Sequence, residues 1–404
     1  MKILHVNFSD SEGGAAQAVL RFHLLLNNEE INTNLLVNEK KTNFINIIGP
    51  NKTLDIFKIN LKRTISRNLK FFFKTENKNT HSINLIPSGI HNKINKINPD
   101  WVHLHWIGNE MISIKEISKI KSKIVWTMHD MWPFCGAEHY TLDNRYSEGY
   151  KKNNRPKYEK KFDLNKYVWG KKIKYFKNIN KIICTSEWMF ERVKKSVLFK
   201  DKDIKLIPLT IDQNFWKLQK KTSARSIFNL DENKKIICFG AENFFENKRK
   251  GFDLFSSAIS SLNTNSEIQV VIFGDDKYYE PKNKNLKIIN LGKIKDQYSL
   301  RAIFSASDIV VMPSRVESFG QIVLEALHCG TPCIISKNTA MSDMIKHKYN
   351  GYIFENENII DLKEGIEWCI QNYDKFDRDK IYNDVSEKFY YKKIINDYID
   401  FLKK

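Results

Sequence analysis

The chain has 404 residues, 42% of them hydrophobic and 28% charged, which excludes a disordered chain and allows two or three domains with their own cores. No stretch approaches about 18 uncharged apolar residues, so no membrane-spanning helix is expected. The net charge of +19 is uneven, with 35 basic against 18 acidic residues in 1–200 and 31 against 29 in 201–404; the first half therefore predicts an anionic partner, a membrane surface or nucleic acid, unless a Lys- and Asn-rich genome explains the excess.

Apolar strands alternate with helices along the first half, the pattern of an α/β protein with parallel sheets. The opening segment 2–8 predicts a strand and not a signal peptide, because it has no long apolar region and no small-residue cleavage site. Gly13-Gly14 follows in a loop before a helix over 15–26. Further strands are predicted at 33–37, 101–106, 123–129 and 181–186.

Residues 52–75 predict a basic amphipathic helix. Apolar residues recur every three or four positions, at Leu54, Phe57, Leu61, Ile65, Leu69 and Phe72. The segment carries seven basic residues and one acidic residue, Asp55. The basic residues are Lys52, Lys58, Lys62, Arg63, Arg67, Lys70 and Lys74. Such a helix can lie on an anionic bilayer; an ordinary surface helix packed on its own domain is the alternative.

The second half repeats the alternation and predicts a second, similar domain. Its strands are expected at 234–240, 268–274, 286–292, 308–314 and 332–336. We place the first domain at 1–210 and the second at 211–384, and expect a last helix, about 385–404, to pack back on the first. The polar, basic stretch 141–180 gives no assignable pattern.

The stretch SRVESFGQIVLEALHCGTP (314–332) places two glutamates, Glu317 and Glu325, eight positions apart around a short helix. The first amides of that helix form an anion site, and Gly320 lets a ligand approach the backbone closely. Carboxylates suit hydroxyl groups, so the spacing favours a ligand with hydroxyls at both ends and phosphates between, such as a nucleotide diphosphate sugar. Two surface glutamates on an ordinary helix are the alternative.

The boundaries of this helix follow from local signals. Ser318 and Gln321 have the spacing of a capping box, so the helix is expected to begin near Phe319. Gly330 is expected to end it.

Other motifs are weak. Asp201-x-Asp203 and Asp377-x-Asp379 lie in polar stretches, where solvated charge is favoured over a metal site. No G-x-G-x-x-G follows the first strand, and neither a P-loop nor a nucleophile elbow is found. Six scattered cysteines predict reduced thiols in a reducing cytoplasm, with no disulfide or zinc site.

Residues 313–334, PSRVESFGQIVLEALHCGTPCI, resemble the signature of retaining nucleotide-sugar glycosyltransferases of family four. Segments 103–108 and 125–134 are similar to a subgroup from bacterial surface-polysaccharide gene clusters. Further matches occur in the family's order at Gly13-Gly14, His129-Asp130, 185–189, 207–212, Lys250-Gly251, 273–276, 290–294 and 305–314.

The resemblance implies the GT-B fold, in which two Rossmann-like domains face each other across a donor-binding cleft. By the same resemblance, Glu325 would bind the donor ribose, and the residues of the catalytic group would be Glu317, His129 and Lys250. The implied donor-binding residues are Gly13, Gly14, Arg249, Lys250, Ile294, Phe319, Gly320, Gln321, Ile322 and Glu325.

The chain also departs from the family pattern. Asn243-Phe244 stands where the family has a Gly-Arg pair, so the second phosphate cation is unassigned; Arg249 is taken as its replacement, with Lys248 next. Leu209 stands where the family has Asn. Only Cys135 represents the subgroup's cysteines, which weakens any metal site in 135–165.

The resemblance implies a cytoplasmic enzyme, peripheral on the inner membrane, that transfers a sugar with retention from a nucleotide diphosphate sugar to a lipid-linked glycan. No cofactor, metal or nucleic-acid partner is expected. A GT-B epimerase or phosphorylase is one alternative, although no cofactor lysine for a phosphorylase is identifiable. A basic nucleic-acid-binding protein is the other, and only residues 52–75 come near the pattern it would need.

Overall fold

The computed structural model describes residues 1–50, 53–262, 268–281, 283, 286–294 and 296–404, with Lys70 described by its backbone alone. Lys52 of the predicted amphipathic helix therefore lies outside the described residues. The chain divides into two compact units, Met1–Thr210 with Lys392–Lys404 and Ile211–Tyr391. Each unit has a sheet and a hydrophobic core of its own.

The first unit is built on a seven-stranded sheet with the order β3-β2-β1-β5-β6-β8-β9. Its elements are β1 Ile3–Ser9, α1 Gly14–Asn28, β2 Thr33–Glu39, β3 Ile47–Ile48, α2 Thr53–Leu69, β4 Phe73–Thr75, α3 Ile90–Ile97, β5 Trp101–Leu104, α4 Ile114–Ile117, β6 Lys123–Met128, α5 Arg145–Glu148, β7 Glu159–Lys161, α6 Leu164–Tyr175, β8 Lys181–Cys184, α7 Glu187–Lys195 and β9 Asp203–Leu206. The strand pairs of this sheet are parallel. A parallel sheet is covered on both faces, and β1, β5 and β8 are accordingly buried along their whole length.

The second unit is built on a six-stranded sheet with the order β12-β11-β10-β13-β14-β15. Its elements are α8 Lys221–Ile227, β10 Lys235–Gly240, α9 Phe252–Ser260, β11 Ile268–Phe273, β12 Lys287–Asn290, α10 Gln297–Ala306, β13 Ile309–Met312, α11 Gln321–His328, β14 Cys333–Ser336, β15 Gly351–Phe354, α12 Ile359–Gln371 and α13 Arg378–Lys388. These strands are also parallel. This is the doubly wound order, in which the chain reverses direction across the sheet between β10 and β13.

The last helix, α14 Tyr391–Lys403, returns to the first unit. The Tyr398 hydroxyl lies 2.9 Å from His103 Nδ1 on β5, and its ring stacks on the His103 ring. Lys205 beside it donates to the Asp397 carboxylate at 2.8 Å. The C-terminal helix therefore completes the cover over the first sheet.

The α/β class and each predicted strand are confirmed, with no strand boundary shifted by more than two residues. The prediction of one helix through residue 75 is wrong at its end. After α2, Lys70–Phe72 form a 3-10 turn. β4 then pairs antiparallel with β7, so this segment is part of a two-stranded sheet. The unassigned stretch 141–180 contains α5, β7 and α6.

Two further expectations concern membrane-spanning helices and the cysteine thiols. In the part of the chain that the structure describes, the helices are too short or too polar to span a bilayer. All six cysteines are buried free thiols, as the sequence predicted. Burial also raises the pKa of the Cys238, Cys329 and Cys369 thiols to about 12, which keeps them protonated and unreactive.

Candidate active site

The predicted catalytic residues of the second unit lie on two loops at the carboxyl end of its sheet. β10 and β13 are adjacent and parallel, so the loops that follow them leave the same edge. The loop after β10 contains a 3-10 turn, Lys248–Lys250, and the loop after β13 carries Glu317. Ligands of doubly wound folds bind at this edge, where the strand order reverses.

Lys250, Arg249 and Glu317 meet at this point. The Glu317 carboxylate oxygen Oε2 accepts from Lys250 Nζ at 2.7 Å and from Arg249 Nη1 at 3.3 Å. Arg249 Nη1 also donates to the Val316 carbonyl at 2.8 Å. The Glu317 side chain is 11% exposed, and each of the two cations is 17% exposed. The cluster therefore holds two positive charges against one negative charge in a largely buried position.

The titration of the cluster is set by the competition between burial and charge. Burial by itself raises the pKa of Glu317, but Lys250 and then Arg249 outweigh it and lower that pKa to about 2. Burial lowers the pKa of Lys250, and Glu317 opposes that change. At neutral pH the glutamate is therefore an ionised acceptor that suits hydroxyl groups, while the cations suit phosphate.

Hydrogen bonds from Arg315 and a close backbone approach at Gly251 hold the two loops together. Arg315 donates from its amide to the Arg249 carbonyl at 2.8 Å and from Nη1 to the Lys248 carbonyl at 2.6 Å. Gly251 follows the turn at φ +70°, and a Cβ there would lie 2.0 Å from the Pro313 carbonyl oxygen. Only glycine fits this approach, which explains the Lys-Gly pair in physical terms.

Helix α11 lies directly after this loop and begins differently from the prediction. It starts at Gln321 and its N-cap is Gly320 at φ +95°, so the helix begins two residues later than the predicted start near Phe319. The end was predicted correctly, because the C-cap Cys329 is followed by Gly330 at φ +70°.

The remaining donor-site residues on α11 have different settings. Glu325 is 4% exposed on the helix. The Phe319 ring packs edge-to-face on Phe389, so only its backbone can serve a ligand. Gln321 and Ile322 are half-buried in the first turn, whose amides point away from the helix. Ile294 lies after β12, separated from β10 by β11, and is not brought near the Lys250 cluster by any described contact.

The missing Gly-Arg pair also has a structural explanation. Phe244 is 2% exposed and packs against Phe239, Phe245 and Phe252, so this position fills the core and holds no cation. Arg249, the suggested replacement, is the second cation beside Glu317.

The predicted residues of the first unit follow its own strands. Gly13 is the N-cap of α1 at φ +86°, and a Cβ there would meet no atom within 4 Å, which leaves the helix start accessible. Gly14 is the first residue of α1. The start of α1 follows β1, which borders β5 where this sheet reverses its order. The pair therefore lies where a phosphate could approach the first turn of a helix.

His129 follows β6 and ends a chain of three hydrogen-bonded imidazoles. His129 Nε2 lies 3.0 Å from His105 Nδ1, and His105 Nε2 lies 2.9 Å from His5 Nδ1. His5 Nε2 is buried without a partner among the described residues. Because a buried unpaired N–H is rarer than an unpaired acceptor, we assign the proton of His5 to Nδ1, which places the proton of His129 on its Nδ1.

Burial also fixes the charge of these rings. It lowers the pKa of His129 to about 4, against the opposing effect of Asp130. Burial and the neighbouring imidazoles lower the pKa of His5 and His105 well below the usual value. His129 is therefore a neutral ring, and in the assigned tautomer its Nδ1–H is a hydrogen-bond donor.

Asp130 holds the loop that carries His129. Its carboxylate accepts from the Trp132 amide at 2.9 Å, from Trp106 Nε1 at 2.8 Å and from His139 Nδ1 at 2.6 Å. His139 Nε2 lies 2.7 Å from Ser82 Oγ. The His-Asp pair of the sequence thus contains one half-buried ring bonded to His105 and one carboxylate that anchors the loop.

Sequence reasoning missed Arg315 and the histidines behind His129. His103 lies on β5 and His105 directly follows the strand, with their ring centroids 3.9 Å apart, and His5 pairs in register with His103. The alternation of the two histidines was visible in the segment HLHW. The contacts of Arg315 have no local signal in the sequence, because these partners lie 42 to 67 positions away.

The Asp-x-Asp segments have structural partners. Asp203 pairs with Lys181 at 2.5 Å, and Asp377 caps α13 by accepting from the Lys380 amide at 3.1 Å. Within the described residues, the group close enough to share one ion is His5, His103 and His105.

Comparison with known proteins gives matches in both units. The family model "Glycosyltransferase Family 4" matches residues 61–215, and "Glycosyl transferases group 1" matches residues 220–387. An uncharacterized glycosyltransferase of Methanocaldococcus jannaschii is 29% identical over 121 residues, which are 29% of this chain and 30% of the relative. The N-acetyl-alpha-D-glucosaminyl L-malate synthase of Bacillus anthracis is 26% identical over 160 residues, 38% of this chain and 41% of the relative.

These curated relatives are matched over less than half of their own length. A solved structure gives the fold over the full length. HepE of Anabaena, in complex with UDP and glucose, superposes with a TM-score of 0.62 at 15% identity and covers 100% of this chain and 99% of its own. With two Rossmann-like units, each matched by a model of the same enzymes, the chain has the GT-B fold and belongs to glycosyltransferase family four.

Proposed function

We propose that this glycosyltransferase moves a sugar, with retention of anomeric configuration, from a nucleotide diphosphate sugar to a lipid-linked glycan acceptor in bacterial surface-polysaccharide biosynthesis. The observation that carries the donor half is the cluster of Lys250, Arg249 and ionised Glu317 beside the start of α11. Its cations and the first turn of α11 suit a diphosphate, and its carboxylate suits sugar hydroxyls.

In this mechanism the C–O bond between the sugar and the diphosphate breaks, and the electron pair leaves with the nucleoside diphosphate. An acceptor hydroxyl oxygen forms the new C–O bond to the sugar, and its proton passes to the leaving diphosphate oxygen. Lys250, Arg249 and the amides after Gly320 would stabilise the growing negative charge. Glu317 would hold the sugar and keep the cations in place. Neutral His129 would donate a hydrogen bond from Nδ1 to a sugar hydroxyl. Retention by a same-face displacement needs no protein nucleophile, and we assign none.

The donor specificity can be tested with UDP-, GDP- and dTDP-sugars in buffer that contains EDTA. A ligand that binds only the folded chain stabilises it by mass action and so raises Tm. At a ligand concentration of about 100 times Kd, the free energy of unfolding rises by about 2.7 kcal/mol. We expect protection by sugars of one nucleotide, without added metal, because Lys250 and Arg249 supply the positive charge. Protection by none of them, or only after magnesium or manganese is restored, would contradict the metal-independent donor site.

The acceptor side of the proposal rests on the exposed face of α2. Leu54 is 66% exposed, Phe57 63% and Leu61 47%, and they share one face of the helix with Ile65. Ser66, on the opposite face, is buried against the unit. A helix that packs normally would bury its apolar side, whereas α2 presents that side to the surroundings. Exposed apolar side chains favour a bilayer over nucleic acid as the partner.

Fewer basic residues of 52–75 are available for anionic lipid than the sequence suggested. Lys62 is half-buried, and burial lowers its pKa. Arg63 donates to the Glu39 carboxylate at 2.6 Å. Exposed Lys58, Arg67 and Lys74 remain for anionic lipid, with each near-surface charge contributing about 1 kcal/mol. The proposed contact is therefore apolar insertion assisted by charge.

Flotation with liposomes tests this contact. The triple variant F57S/L61S/I65S should lose flotation with anionic liposomes, because it removes the apolar side chains that enter the bilayer. The control Ile360→Ser removes a 70% exposed apolar residue from the second unit and should float as the wild type does. Binding of wild type should weaken as salt rises. Retained flotation of the triple variant would return α2 to the ordinary surface-helix interpretation.

A further inference from the structure

A polar pocket of about 370 Å³ lies beside α2 in the first unit, on a different side of the helix from the exposed apolar face. Its volume falls in the range of small-molecule sites. The lining residues that matter for its chemistry are Asn60, Arg63, Arg67, Ser82, Asn109 and Glu110. None of these was assigned to the donor site.

The floor of the pocket is rigid and its one carboxylate is satisfied. Glu110 is 1% exposed and accepts from Ser66 Oγ at 2.8 Å, from the Asn84 amide at 2.6 Å and from the Ile86 amide at 3.1 Å. Lys62 also faces it closely enough for the two charges to interact. The negative charge of Glu110 is therefore opposed by a cation and three donors of its own.

The wall of the pocket supplies positive charge. Arg63 and Arg67 are four positions apart on α2 and so lie on one side of it. Glu39 holds only Nη1 of Arg63, and the guanidinium stacks 5.2 Å from the Phe8 ring centre, which orients the group. Arg67 is exposed and forms no ion pair among the described residues. Two guanidinium groups with donors to spare form a site for phosphate oxygens.

The loop opposite the arginines has an uncommon backbone. Asn109 and Glu110 both adopt left-handed conformations, with φ of 53° and 58°. Hydrogen bonds hold this geometry, since the Asn109 amide donates to Ser82 Oγ at 3.2 Å and the Glu110 amide to Asn84 Oδ1 at 3.3 Å. Such residues cost free energy and concentrate at ligand sites.

Exposed aromatic side chains lie near the pocket in the chain. His81 lines both this pocket and a neighbouring depression that Phe73 and Thr75 border. Phe71 and Phe72, which precede that depression, are 78% and 68% exposed. A ligand with a phosphate at one end and hydrocarbon at the other would match charge with Arg67 and carbon with these rings.

We infer that this pocket binds the phosphate of a lipid-linked acceptor, so that Arg63 and Arg67 hold the head of the lipid while the exposed aromatic rings meet its chain. The inference rests on the proposed lipid-linked acceptor, and it assigns the acceptor phosphate to residues that the donor chemistry does not use. Bulk anionic lipid offers the same phosphate chemistry, so the test must separate the two sources.

Calorimetric titration of the full chain with geranyl phosphate, geraniol and inorganic phosphate provides that test. We expect wild type to bind geranyl phosphate at least about tenfold more tightly than either fragment, because charge-assisted hydrogen bonds and apolar contact act together. Arg67→Gln should weaken that binding about tenfold, and Arg67→Lys less, because it keeps the charge and loses the planar fork. The control Lys115→Gln removes an exposed charge elsewhere in the unit and should change nothing.

Every other outcome overturns the inference. Equal affinity for geranyl phosphate and geraniol would remove the phosphate site, and equal affinity for inorganic phosphate would leave an anion site with no lipid preference. Equal losses in Arg67→Gln and Lys115→Gln would mean general charge attraction. If Arg67→Gln lost flotation with anionic liposomes and kept geranyl phosphate, Arg67 would serve bulk lipid. The nucleotide-sugar protection assay does not involve this pocket, so the donor function would stand or fall separately.

Discussion

Lys250→Ala is expected to lower kcat by about two to three orders of magnitude, the usual loss when one preorganised donor to a developing charge is removed. Lys250 Nζ is 2.7 Å from Glu317 and lies at the carboxyl edge of the second sheet, where the leaving diphosphate would gather charge. The ground-state donor shares part of this contact, so kcat should fall more than donor affinity.

The variant also disturbs a buried ion pair, and its design must separate the two effects. Removing one partner of such a pair can cost about 3–5 kcal/mol of folding free energy. Lys250→Arg keeps a positive charge beside Glu317. Lys248→Ala is the matched control, because it removes an exposed lysine of the same turn. Release of nucleoside diphosphate by folded protein, checked by circular dichroism, should be lost in Lys250→Ala and largely kept in Lys248→Ala. Near-wild-type turnover of folded Lys250→Ala would show that another group stabilises the diphosphate.

The first unit is expected to lose much of its stability between pH 6.5 and pH 4. Burial lowers the pKa of His23 and His129 to about 4 and lowers that of His5, His103 and His105 well below 6.5. Because the folded pKa lies below the unfolded one, the unfolded chain binds more protons in this window. The contribution is complete above about pH 6.5 and is lost as pH falls toward the folded pKa.

The size of the effect follows from proton linkage. A histidine whose pKa moves from 6.5 to about 4 costs roughly 2 kcal/mol at pH 5 relative to pH 7.5, and several act in the same direction. Whole domains have only about 5–15 kcal/mol of stability. Protection of β1 and β5 amides from hydrogen exchange, measured at pH 7.5, 6 and 5 with correction for intrinsic rates, should fall steeply. The His5→Asn variant should show a shallower fall, and pH-independent protection would contradict neutral burial of these rings.

The sequence predicted the fold well because its signals were local. Each apolar strand of a buried parallel sheet is a continuous run, and Gly251, Gly320 and Gly330 mark positions where the backbone needs positive φ. The start of α11 was predicted near Phe319, two residues before the observed Gln321, because residue types at a given spacing do not reveal that Gly320 is the N-cap. Helix ends depend on a single backbone conformation and are harder to predict than the helix.

The candidate site was predictable only in part. Glu317 and Lys250 were named from a motif, yet their direct contact joins positions 67 apart and has no local signal. The lowered pKa of Glu317 arises from that contact and could not be anticipated either. The histidine chain behind His129 depends on the register of β1 against β5, which alternation suggests but does not determine.

The most direct test of a nucleotide-sugar site at α11 is calorimetric titration of the protecting nucleotide sugar into wild type and Glu325→Ala. Glu325 is 4% exposed on this helix, and loss of its carboxylate would leave the donor ribose hydroxyls without a partner. We expect Kd to rise about tenfold or more, equivalent to roughly 1–3 kcal/mol, while the unliganded protein keeps its fold. An unchanged Kd in a folded Glu325→Ala protein would contradict the placement of the donor at this helix.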